Sequence, residues 1–87
     1  MCYLFIPCYI CGKRATERHH VFGGARRKHS EKYHLVAHLC HECHRTGRHA
    51  VHRNREMADR LHRDFQEKFE LDNSRYEFMQ IFGKNYL

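Results

Sequence analysis

Cys8-Tyr-Ile-Cys11 and Cys40-His-Glu-Cys43 stand 28 residues apart, and no other feature limits so strongly what this chain can fold into. Two residues between cysteines let both sulfurs of a tight turn reach one tetrahedral ion, so two such knuckles supply a complete ligand set. Soft thiolates select zinc. With four sulfurs there is no open position for water, which makes the expected site structural: it closes the segment 12–39 into a loop. The fifth cysteine, Cys2, has no partner in the pattern. An odd count without a secretory signal argues against a disulfide framework and for a reducing compartment, the cytoplasm.

At 87 residues the chain has the length of one small domain (1–87), and a domain this small commonly needs such a staple. Its longest apolar run, "MCYLFIPCYI", is ten residues interrupted by Pro7, too short to span a bilayer and not followed by a small-residue cleavage site. The expectation is a soluble, unsecreted protein with no membrane partner. The net charge of +6 is unevenly placed: ten Lys and Arg against three Asp and Glu in residues 1–53, six against seven in 54–87. A basic half beside a neutral half predicts a polyanion-binding face and a packing face.

Hydrophobic patterning divides the chain in the same place. Residues 3–10, aromatic and β-branched, read as a short strand entering the first knuckle, with Gly12 just after it. Residues 17–22 and 33–39 read as the strands of a hairpin whose connection, from Gly23-Gly24 to Lys32, is a long loop. A short helix is expected from about Cys40 to Gly47, with Gly47 as a left-handed C-cap. Beyond it, Asn54 is placed to cap a helix carrying Met57, Leu61, Phe65, Lys68 and Phe69 at three- and four-residue spacing. "DNS" at 72–74 ends it. Ser74-Arg-Tyr-Glu77 has the form of a capping box for a second helix presenting Phe78, Ile81 and Phe82 and stopping at Gly83. The expected fold is α+β: a small zinc-stapled hairpin-plus-helix core over 8–54, then amphipathic helices packing over 55–87.

Nine of the ten histidines lie between the first knuckle and His52; only His62 falls outside. In "ERHHVFGGARRKHS", His19 and His20 are adjacent, and neighbours in an extended segment point to opposite faces. A metal ligand beside a separate proton acceptor would use both. His44, just after the second knuckle, would be folded toward them by a hairpin followed by a helix.

The set "ERHHVFGG … LCHECH … AVH" resembles the HNH nuclease superfamily, the ββα-metal fold, and in particular its small phage-type members, over about residues 8–54. The resemblance implies a bacterial host cell as the setting, a catalytic divalent ion (Mg²⁺, Mn²⁺, Ni²⁺ or Zn²⁺) beside the structural zinc, and DNA as the partner. It assigns His19 as an ion ligand, His20 as general base and His44, from "LCxxCH", as a second ligand. Glu17 stands two residues before His19, as an acid does in the related colicin nucleases. For a third ligand His49 and His52 are the candidates, with His52 favoured because it follows the end of the short helix. The family's middle Asn, which braces the hairpin loop, is missing before "LC"; Ser30, His34 or His38 could substitute.

The implied chemistry is in-line hydrolysis of a phosphodiester. The ion binds a phosphate oxygen and the leaving 3′ oxygen, and the base takes a proton from the attacking water. Gly23-Gly24 would let a backbone approach closely. Arg26, Arg27 and Lys28, with Arg45 and Arg48, would neutralise flanking phosphates. The same thiolates and cations also fit a zinc-ribbon nucleic-acid binder without catalysis. A third class is a small interaction module for a host or phage protein, in which the N-terminal segment and the "FGKNYL" tail could also serve a homodimer.

Overall fold

A computed structural model describes residues 5–87. Its fold is α+β, with a two-stranded antiparallel hairpin, helices and a cysteine cluster. Strand β1 is Glu17–His20 and β2 is Val36–Leu39, paired Glu17 to Leu39, Arg18 to His38, His19 to Ala37 and His20 to Val36. One face of the hairpin therefore carries Glu17 and His19 and the other Arg18 and His20. A helical turn follows β2 directly, completing a ββα-like unit. Among the described residues no helix is long and apolar enough to cross a membrane.

Three local expectations fail, each for a physical reason. The strand expected over 3–10 is absent from its described part: only a single bridge joins Pro7 to Arg14. Pro7 has no N–H to give a ladder, and the knuckle takes up the neighbouring groups, Cys8 N–H bonding Lys13 O at 2.6 Å and Gly12 N–H bonding Cys8 O at 3.0 Å. Residues 3 and 4 lie outside the described segment, as does Cys2.

The connection over 23–32 is not a loop throughout. After a 3₁₀ turn at Gly24–Arg26 it forms helix α1, Arg27–Lys32, and only Ser30 of α1 is buried. A helix that buries one serine has no apolar period to betray it. The strands are correspondingly shorter than expected; Val21, Phe22 and Leu35 enter the core instead, and His34 takes a left-handed conformation at φ 59°.

Gly47 is not a left-handed cap. Its backbone is extended (φ −75°, ψ 165°), and the turn over Glu42–Thr46 is a π-turn closed by Gly47 N–H on Glu42 O at 2.7 Å. A Cβ at Gly47 would lie 2.8 Å from that carbonyl oxygen, so glycine is required for space rather than for handedness.

The helical half forms as its pattern dictates. Helix α2, Arg55–Glu70, is capped by Asn54, whose side chain accepts Met57 N–H at 3.0 Å, and buries Leu61, Phe65, Gln66 and Phe69. Lys68 lies off that stripe; its ammonium donates to His34 O at 3.1 Å. Helix α3, Arg75–Phe82, opens with the full Ser74–Glu77 capping box and ends at Gly83, left-handed at φ 77°. Phe22 from the hairpin end sits among Phe78, Phe82 and Tyr86, with ring centroids 5.3, 4.6 and 5.5 Å away. The basic half thus borrows its core from the helical half, and the two pack as one hydrophobic cluster.

Candidate metal centres

The Sγ atoms of Cys8, Cys11, Cys40 and Cys43 all lie within 4.8 Å of one another, and none is in a disulfide. Cys11 Sγ and Cys40 Sγ are 3.7 Å apart. A tetrahedral ion with metal–sulfur bonds of about 2.3 Å would set its ligands about 3.8 Å apart, so the spacing fits zinc. The electrostatics agree. Burial opposes ionisation of Cys8, but backbone hydrogen bonds at Cys11, Cys40 and Ile10 bring its thiol down to about 6. Burial and the neighbouring sulfurs push Cys43 well up. Four sulfurs this close could all be ionised only around a cation.

The second cluster consists of His19, His44 and His52, with one ring nitrogen from each within 4.8 Å of the others. His44 Nε2 and His52 Nε2 are 3.1 Å apart, near the roughly 3.3 Å edge of a tetrahedral site with nitrogen ligands. Each histidine arrives by a different route. β1 supplies His19, the π-turn supplies His44, and the chain after Gly47 returns His52 to the cluster through His52 N–H on His44 O at 3.3 Å. His49 is exposed and lines a separate cleft beside Asn54 and Arg60.

Glu17 orients this cluster. One carboxylate oxygen accepts from His44 Nδ1 at 2.5 Å and the other from His41 Nδ1 at 2.7 Å, and these bonds hold the Glu17 carboxyl below its ordinary value. With the proton on Nδ1, His44 Nε2 keeps its lone pair for a metal, the usual carboxylate–histidine–metal arrangement. Burial, then the neighbouring imidazoles, lowers His19 to about 4, so its ring too is neutral at neutral pH.

His20 does not join the three. Its ring points to the other face of β1, where Nε2 lies 2.8 Å from Glu31 Oε2 on α1. It nevertheless lines the same cleft, of about 430 Å³, as His19, His44, His52, Arg27 and Arg45. The adjacent pair is thus split between the histidine cluster and a separate position at one cavity.

Of the other expected cations, Arg26 is committed elsewhere, donating from Nη1 to Ile81 O at 2.8 Å at the end of α3. Lys28 and Arg48 are exposed and outside the cleft. Of the three candidates to brace the hairpin, Ser30 is the one so placed. Fully buried, its Oγ accepts Phe22 N–H at 3.1 Å and donates to Phe22 O at 2.7 Å.

Three residues escaped sequence reasoning. Glu31 lies in what reads as a polar loop, and His41 reads as knuckle filler. His62 bonds Val21 O at 3.1 Å and stacks on Phe22 with centroids 5.3 Å apart. Its place one turn from Phe65 on the buried side of α2 was the available signal. Comparison with protein-family models, with curated proteins and with solved structures gives no match to this chain.

Proposed function

We propose that this chain is a metal-dependent endonuclease of the HNH type, which hydrolyses DNA phosphodiester bonds with His20 as general base. The observation that carries the reading is the division of labour on β1: His19 joins His44 and His52 in a cluster that could hold an ion, while His20 faces the same cleft unattached to it. Ligand and base on neighbouring residues is the arrangement the family's first motif requires. The double hydrogen bond of Ser30 to Phe22 adds support, because it braces the β1–β2 connection where the family uses Asn.

Two metals have two roles in this reading. Zinc on the four cysteines holds the fold. On the histidines, an ion such as Mn²⁺, Ni²⁺, Zn²⁺ or Mg²⁺ would, when bound, polarise a phosphate oxygen and stabilise the departing 3′ oxygen. Three imidazoles suit the transition metals better than Mg²⁺, which prefers oxygen. The protein's own groups do the rest. Arg27 and Arg45 at the cleft wall neutralise phosphates flanking the scissile bond, and His20 takes a proton from the attacking water.

The test is conversion of supercoiled plasmid to open circles by the zinc-loaded protein with each divalent ion in turn, beside His20→Ala. Metal-dependent nicking that is lost in the variant supports the reading. A protein that shifts DNA in a gel yet nicks it with none of these ions is a binding module instead.

A further inference from the structure

We propose that Glu31 is a positioning residue for His20: its carboxylate holds the ring by Nε2, so that Nδ1 is the nitrogen that accepts the proton of water. The catalytic part of this rests on the nuclease reading above; the geometric part does not. Glu31 Oε2 lies 2.8 Å from His20 Nε2, and Arg18 Nη2 grips the same carboxylate at 2.8 and 3.1 Å. The three come from two elements. Arg18 and His20 alternate onto one face of β1, and Glu31 reaches them from α1.

A carboxylate can only accept, so the proton in the His20–Glu31 bond belongs to Nε2. Arg18, then His20, holds the Glu31 carboxyl below its ordinary value, which keeps it an acceptor throughout the neutral range. Neutral His20 therefore has one lone pair, on Nδ1. As the water oxygen bonds to phosphorus and the bond to the 3′ oxygen breaks, the proton lost by water goes to Nδ1, and solvent protonates the leaving oxygen. The imidazolium that results is stabilised by the carboxylate across Nε2–H, as an orienting acid stabilises the histidine of a hydrolytic triad. Glu31 touches neither substrate nor ion in this scheme. It fixes the tautomer and the direction of the ring.

The experiment pairs spectroscopy with kinetics on the zinc-loaded full chain. Long-range ¹H–¹⁵N spectra, with His20 assigned by loss of its signals in His20→Gln, should show the Nε2–H tautomer in wild type and a mixture in Glu31→Gln. Nicking by Glu31→Gln should fall about 10- to 100-fold in kcat with KM unchanged, part of the 10²–10⁴ that a general base contributes. Glu31→Asp should recover some of the loss. Gln is isosteric and the position exposed, so the fold should survive, which the remaining histidine signals report.

A wild-type His20 carrying its proton on Nδ1, or a tautomer indifferent to Glu31→Gln, overturns the proposal. So does a nicking wild type whose Glu31→Gln variant is equally active. A wild type that nicks nothing, with the Nε2–H tautomer intact, overturns the nuclease reading and the catalytic half of this proposal while supporting its geometric half.

Discussion

The cysteine cluster and the histidine cluster adjoin at Cys43-His44 and are assembled in different ways. Four sulfurs from two knuckles could fill the tetrahedron of one metal ion by themselves. Three imbalanced approaches, from a strand, a π-turn and a returning segment, bring three imidazoles to one wall of an open cleft. Among the described residues no carboxylate bonds the four cysteines, whereas the second cluster is oriented by Glu17, which also reaches His41. A closed site needs only its ligands and their spacing. An open one must also be aimed, and the groups that aim it come from further away.

That contrast predicts different failures. The largest effect should follow loss of the sulfur site, since structural zinc supplies on the order of 10 kcal/mol of apparent folding energy, more than a domain of this size holds in reserve. Cys43→Ser, or strong chelation of the wild type, should abolish the native circular dichroism. A natively folded Cys43→Ser without zinc would show that the sulfur site does not hold the fold.

On the nuclease reading, next in size is His20→Ala, which should lower nicking by about 10²–10⁴-fold while leaving the fold and divalent-ion binding intact. His19→Ala should instead lose the second ion, with partial recovery at high metal concentration. Calorimetric metal titration beside plasmid nicking separates the two. Identical behaviour in both assays would mean that the adjacent histidines share one role.

Glu17→Gln sharpens the comparison by removing the carboxylate that orients His44. Removing the acceptor from His44 should weaken ion binding at the histidines by about 10- to 100-fold and leave zinc on the sulfurs untouched. Equal losses at both sites in a metal titration would show that Glu17 supports the fold as a whole rather than the cluster.

The smallest effect concerns pH. The unfolded chain takes up a proton on His19 near 6.5, the folded chain only near 4 because the ring is buried among other imidazoles. Between those values the unfolded state binds more protons, so the contribution of His19 to stability is present above about pH 6.5 and is lost as pH falls toward 4. Denaturation of wild type and His19→Gln from pH 7 to pH 5 should show the wild type losing more. Parallel curves would mean that His19 is protonated alike in both states.

How far the sequence spoke depended on whether a feature repeats. CxxC twice, Asn54 before an apolar stripe, and the Ser74–Glu77 box are patterns with fixed spacing, and each stands where its spacing puts it. His19 and His44 follow from a hairpin that runs into a helical turn, whereas the sequence left the third place between His49 and His52, with His52 favoured because it follows that turn. What stayed hidden lacks a period. Helix α1 buries a single serine, so nothing marked Ser30 above His34 and His38 as the brace or Glu31 as a neighbour of His20. Gly47 could be singled out as a glycine with a job, but crowding against Glu42 leaves no trace that distinguishes it from a left-handed cap. Arg26 looked free because its acceptor, Ile81 O, is 55 residues away.

The register of β1 against β2 has a consequence for how this chain can change in length. His19 faces His44 and His52, and His20 faces Glu31, only because His19 stands opposite Ala37 and His20 opposite Val36. A single residue inserted between the first knuckle and Glu17, if absorbed by sliding β1 along β2, would turn every β1 side chain to the opposite face. The two histidines would then exchange environments, each chemically intact and each in the other's place. Two inserted residues would restore the faces and merely shift the pair along the hairpin. Length changes in the segment 12–16 should therefore be tolerated by parity, even numbers far better than odd, unless a bulge takes up the odd residue before the strand begins.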